Sequence, residues 1–195
     1  MAPSPSAEER GPLLLDLAEG AIRRALDLPG APEVPDPLPR WADEALGAFV
    51  TLTVDGRLNG CIGQIDQPQP LRAAIGRLAV DAALHDPRLP SLRPSDLASL
   101  EIEVSVLSPL APIACRDRAA LLDQLRPGTD GLLVAAQGRR AVFLPDVWDQ
   151  LPLPDQFLDH LLAKAGLAPG GWPPGLQAWR FTTEQFRRRV IPPAR

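Results

Sequence analysis

The feature that most restricts the fold of this chain is a pair of extended runs separated by Asp55-Gly56. Gly47–Val54 alternates Phe49, Thr51 and Thr53 with Val50, Leu52 and Val54, and a second extended run, Arg57–Ile65, follows the dipeptide. A period of two places successive side chains on opposite faces of a strand. Asp-Gly favours the tight turn in which both central residues take positive φ, so the two runs are expected to form an antiparallel hairpin.

The rest of the chain interleaves helices with further strands. Leu14, Leu17, Ala18, Ala21, Ala25 and Leu28 recur at helical spacing until Pro29-Gly30, and Pro70 opens a second helix that ends at His85-Asp86-Pro87. Between them the Pro32, Pro35, Pro37 and Pro39 stretch is too proline-dense for regular structure and is expected to run over the surface. Glu101–Leu107 alternates, with Ile102, Val104 and Val106 on one face and Glu101, Glu103 and Ser105 on the other. Asp117 is placed to cap a helix through Leu121, Leu122 and Leu125. Residues 131–136 and 139–144 form a second hairpin across Gln137-Gly138, and a helix starts at Asp155 and closes at Gly166. A last extended run, Gln177–Thr182, brings the C-terminus back into a sheet. The expected class is α+β, a mainly antiparallel or mixed β-sheet packed by helices. Residues 1–12 are expected to be a flexible lead and residues 13–195 a single domain.

Charge excludes some functions. The net charge is −4 at neutral pH and the isoelectric point is near 5.2, which argues against the positive field that nucleic acid or an anionic membrane attracts. Arg187, Arg188 and Arg189 form a small basic run without interleaved aromatics and are expected to be solvated. Cys61 and Cys115 are the only cysteines, too few for a disulfide framework, and no zinc, iron–sulfur or dinucleotide-binding spacing occurs, so no cofactor or metal is implied. The first eleven residues lack the basic start and apolar core of a signal peptide, and no apolar run reaches membrane-spanning length. The expectation is a cytoplasmic protein.

Six segments, in order, carry a resemblance: GAFVTL at 47–52, LNGCIG at 58–63, DPRLP at 86–90, EIEVSVLS at 101–108, DGLL at 130–133 and LAKAGL at 162–167. Together they resemble the AMMECR-type domain family, also called AmmeMemoRadiSam system protein A. The resemblance implies a two-lobed α/β unit with both chain ends in the larger lobe, and an association with Memo-like and radical S-adenosylmethionine proteins. It supplies no reaction. Two positions depart from the family pattern: Asn59 stands where an arginine is favoured and Leu89 where a phenylalanine is favoured.

Within these motifs Cys61 and Glu103 are the candidate catalytic residues, and Asn59, Gly60, Gly63, Asp86, Arg88 and Ser105 the candidate substrate-binding ones. Glycine inside a strand packs nothing, so Gly60 and Gly63 beside Cys61 point to a bulge or to close approach by a ligand or backbone. The thiol has two open readings, a reactive nucleophile or a small buried apolar residue. A neighbouring cation would activate it. Asn59 cannot supply one, which leaves Arg57, expected two residues beyond Asn59 on the same strand face. His85 and His160 sit in no matching motif and are expected to be structural. Glu103 is the better placed of the two strand carboxylates for acid–base chemistry. Asp86 and Arg88 flank Pro87 in what is either a fixed turn or an anion clamp, with a salt pair from Arg88 to Glu103 as one outcome. Lys164 is expected to offset the negative end of its helix.

Two functions follow as expectations. The chain is either an enzyme with a Cys61-centred site, acting on a small molecule or modifying a partner protein, or a non-catalytic ligand-binding or docking module that works with Memo-like and radical S-adenosylmethionine proteins.

Overall fold

The computed structural model describes residues 7–65 and 69–190. Its elements, in chain order, are α1 (Ala7–Ala25), β1 (Ala48–Val54), β2 (Arg57–Gln64), α2 (Leu71–Leu84), β3 (Leu100–Leu107), β4 (Ala111–Ile113), α3 (Arg118–Leu122), β5 (Gly131–Ala136), β6 (Arg139–Phe143), α4 (Pro154–Lys164), β7 (Gln177–Phe181) and β8 (Thr183–Arg189). Short 3-10 turns precede β1, β3 and α4. The α+β class is what the sequence pattern gave, with two sheets rather than one.

The chain divides into two compact units, residues 1–106 with 184–195, and residues 107–183. The first holds a four-stranded sheet in the order β2-β1-β3-β8. One face of this sheet, through Ala48, Val50, Leu52, Ile102 and Val104, packs with the apolar stripes of α1 (Leu14, Ala18, Ile22) and α2 (Leu71, Ile75, Leu78, Ala82) into one buried cluster. The opposite face carries Phe49, Thr51, Glu101, Glu103 and Ser105, the alternation expected of a half-buried sheet.

The second unit holds the sheet β4-β7-β5-β6. Leu132, Val134, Ala141 and Ala178 pack against Leu121 of α3 and Phe157, Leu158, Leu161 and Leu162 of α4. Phe157 lies flat on Trp148, with ring centroids 3.7 Å apart, and the Trp148 indole N–H donates to the Asp130 carbonyl at 2.7 Å. Both hairpin turns have the expected backbone: φ is 50° and 73° at Asp55 and Gly56, and 53° and 72° at Gln137 and Gly138. The Asp117 carboxylate accepts from the Ala120 N–H at 2.8 Å and caps α3.

Three expectations need correction. Residues 7–12 of the expected lead are helix: α1 runs from Ala7, with Glu8 and Glu9 in its first turn where they complement the helix dipole, and through Gly11-Pro12. Gly11 is needed there because a Cβ would fall 2.7 Å from the Phe186 ring of β8. The first six residues of that lead lie outside the described residues. Arg187 and Arg188 are not only solvated charges: Arg187, 59% exposed, also pairs with Glu103, and Arg188, 33% exposed, pairs with Asp16 at 2.7 Å and Glu19 at 3.0 Å. The late extended run ends in sheet two at Phe181, and a separate strand, β8, returns to the edge of sheet one.

Candidate functional site

β2 is an edge strand, and Cys61 lies opposite Thr51 of β1, which lies opposite Glu103 of β3. The three side chains form one row across the sheet's polar face. The Cys61 N–H points away from β1 and donates to Asp86 Oδ2 at 3.0 Å, which makes Cys61–Thr51 a pair without mutual backbone hydrogen bonds, the kind in which side chains approach most closely. The Thr51 hydroxyl accordingly reaches the thiol, donating to Sγ at 3.3 Å.

The edge of β2 is held by the Asp-Pro-Arg turn. Asp86, whose side chain is 2% exposed, accepts from the Cys61 N–H, from the Arg88 N–H at 3.1 Å and from the Arg88 guanidinium at 2.9 and 2.7 Å. The same guanidinium donates to the Cys61 carbonyl at 2.7 Å. Both backbone polar groups of Cys61 are therefore satisfied by one ion pair instead of by another strand, which closes an edge that would otherwise invite pairing. Hydrogen bonding to Arg88, and then to the two backbone N–H groups, holds the Asp86 carboxyl well below the usual carboxylate range against the opposing effect of burial.

Glu103 is anchored from two sides. Ser105 Oγ donates to its Oε1 at 3.2 Å and Arg187 Nε pairs with Oε2, leaving the carboxylate 13% exposed. The expected Arg88–Glu103 pair does not form, because each partner is committed elsewhere.

Arg57 does not share the face of Cys61. The β1–β2 register shifts between Leu52 and Thr53: Leu52 lies opposite Gly60, but Thr53 lies opposite Leu58, and Asn59 is the extra residue of the bulge. A one-residue shift exchanges the faces, so Leu58 takes the side of Cys61 and Arg57 the other. The cation next to Cys61 is Arg88. Asn59 instead donates to the Pro90 carbonyl at 3.4 Å.

The two glycines are demanded by packing within the fold. A Cβ on Gly60 would fall 1.9 Å from the Ala82 carbonyl oxygen of α2, so the glycine lets helix and strand backbones meet on the face opposite the thiol. A Cβ on Gly63 would fall 2.0 Å from the Phe49 ring that covers it.

Of the predicted residues, Cys61, Asp86 and Arg88 form one cluster and Glu103 with Ser105 another, joined by Thr51. Thr51 and Arg187 are the participants that sequence reasoning missed. The signal for Thr51 was present in the alternation of GAFVTL; that for Arg187, 84 residues from Glu103, was not. His85 is exposed and faces Asp81 at 3.2 Å, and His160 is exposed on α4 of the other unit. Lys164 donates to the Val142 carbonyl at 3.0 Å and lies over the Phe143 ring. Burial, then Asp117, pushes the Cys115 thiol up. Among the described residues no helix is long and apolar enough to cross a membrane.

A family model, AMMECR1, matches residues 15–186. The chain belongs to the AMMECR1 family. An AMMECR1 relative from Methanothermobacter thermautotrophicus is 34% identical over 94% of this chain and 96% of its own, and one from Thermofilum pendens is 36% identical over 93% and 90%. The crystal structure of the uncharacterised protein PH0010 from Pyrococcus horikoshii superposes with a TM-score of 0.83 at 31% identity, covering 94% of this chain and 95% of that one. An AMMECR1 chain thus has a solved relative with the same fold.

Proposed function

We propose that this AMMECR1-family chain is a cytoplasmic enzyme in which Cys61 Sγ forms a bond to an electrophilic centre of a small molecule, or of a group presented by a partner protein, as the bond from that centre to its leaving group breaks and Glu103 passes the thiol proton to the leaving group. The observation that carries this reading is the row Cys61–Thr51–Glu103, with a hydroxyl donating to the sulfur and a carboxylate fixed two strands away. Neighbouring strands lie about 4.8 Å apart, so the backbones of Cys61 and Glu103 are separated by roughly 10 Å, the span of a small substrate lying over Thr51. The hydroxyl supports negative charge on sulfur as it reacts, and Arg88 and Asp86 position the cysteine through its backbone. Both thiols are free.

The internal satisfaction of Gly60, Gly63 and the Asp86–Arg88 pair favours a second reading, a docking module serving Memo-like and radical S-adenosylmethionine proteins. Complementation of a deletion strain separates the two. Loss of function in Cys61→Ala and Glu103→Gln, both folded, is expected for the enzyme. Full complementation by both, with a stable complex to a Memo-like protein by sedimentation, would replace it with the module.

A further inference from the structure

The second unit carries a recess that the thiol site does not use. It has a volume of about 320 Å³ and lies between the tip of the β5–β6 hairpin and the loop after α4. It is lined by Gln137 and Arg139 of the hairpin and by Leu167, Trp172 and Pro173 of the segment after α4. That volume falls at the small end of ligand-binding cavities, about 300–1,000 Å³.

Two observations say what would fit. The first is charge. The chain has 24 Asp and Glu to 20 Lys and Arg, yet among the described residues no carboxylate lines this recess or the adjoining one of about 310 Å³, which shares Gln137 and Arg139 with it and adds Arg140 and Gln177. The second is the indole. Trp172 is half-buried in a loop rich in glycine and proline, packed on the core while lining the recess. The Arg139 guanidinium is positioned by its bond to the Gly166 carbonyl at the end of α4, which uses one Nη1 donor of its five. An indole and a guanidinium lining one recess match a ligand that pairs a ring with an anionic group.

We propose that this recess binds a small anion carrying a planar ring, with Trp172 stacking on the ring and Arg139 taking the anionic group. Phosphate and carboxylate satisfy the same fork, and the test separates them. The full-length protein would be titrated with AMP, benzoate, adenosine and inorganic phosphate while the Trp172 indole N–H is followed by NMR, assigned through Trp172→Phe.

AMP or benzoate is expected to shift that signal saturably, and whichever binds identifies the anion. Adenosine and phosphate alone are expected to bind at least about tenfold more weakly, and Arg139→Gln, checked for folding by its spectrum, to weaken the ring-bearing anion by about tenfold, the equivalent of one charge-assisted hydrogen bond. If neither ring-bearing anion perturbs Trp172 at 10 mM (roughly 2.7 kcal/mol of affinity), or if adenosine binds as well as AMP, the proposal is overturned. Neither result bears on Cys61.

Discussion

Replacing Asp86 by alanine removes an acceptor that serves four donors in a position 2% exposed. The magnitude follows from what each donor then faces. Arg88 is 63% exposed, so water takes over most of its guanidinium and this half of the pair is worth about 1 kcal/mol or less. The Cys61 N–H has no strand to turn to, and an unsatisfied backbone donor costs about 1–3 kcal/mol. The expected loss is about 3 kcal/mol at pH 7, a large part of the roughly 5–15 kcal/mol by which domains are stable. Arg88→Ala should cost less than Asp86→Ala, because the two backbone donors still hold the carboxylate. Urea unfolding by circular dichroism measures the loss, and amide exchange at Cys61, expected to speed up in Asp86→Ala, localises it. The pH dependence has a fixed sign. The folded carboxyl sits below its unfolded value of about 3.9, so its contribution is complete above that pH and declines as pH falls toward the folded value, by up to about 1.4 kcal/mol per unit. The stability gap between the native protein and Asp86→Asn should narrow below pH 4. A loss under about 1 kcal/mol in Asp86→Ala at pH 7, or a gap that stays constant down to pH 2.5 (about 1.4 units below the ordinary aspartate value), would refute the clamp.

Further outcomes follow from the same contacts. Gly60→Ala drives a methyl into the backbone of α2 and should cost at least about 3 kcal/mol by urea unfolding; a change within about 0.5 kcal/mol would show that strand and helix do not meet there. Gly63→Ala meets the Phe49 ring first, so it should destabilise by about 1–3 kcal/mol and be largely rescued by Phe49→Ala, whereas additive losses would point to a clash elsewhere. In Cys61→Ala, alkylation of Cys115 should show an alkaline midpoint above that of an ordinary thiol, about 8.5, because burial and Asp117 oppose its ionisation; a midpoint at or below the ordinary value would contradict that.

The parts of the fold that local chemistry specifies were legible in the sequence. Asp55-Gly56 and Gln137-Gly138 announced their hairpins because left-handed backbone there admits few residues, and Ile102, Val104 and Val106 announced a core face by their period. The α1 boundary was misjudged because the apolar spacing that marks the helix begins only at Leu14, and the contact that fits Gly11 into the helix comes from Phe186 near the far end of the chain. In the candidate site, Cys61, Glu103, Asp86 and Arg88 were named from the motifs that contain them, but the partners they meet were not legible. A bulge at Asn59 leaves the composition of β2 unchanged while moving Arg57 off the thiol's face, and it depends on how β2 registers with β1. Ion pairs such as Arg187–Glu103 join residues far apart in sequence, and no local pattern encodes them.

The proposed enzyme needs the partly buried Cys61 thiol to react in the folded protein with Thr51 supporting it. The most direct test is the rate of iodoacetamide labelling of Cys61 in folded Cys115→Ser protein, with and without Thr51→Val. Labelling in the native state, slowed by about tenfold when the hydroxyl is removed, as loss of one hydrogen bond to a charged sulfur predicts, would support the thiol site. Labelling only at the rate of global unfolding, unchanged by Thr51→Val, would make Cys61 a structural cysteine and contradict it.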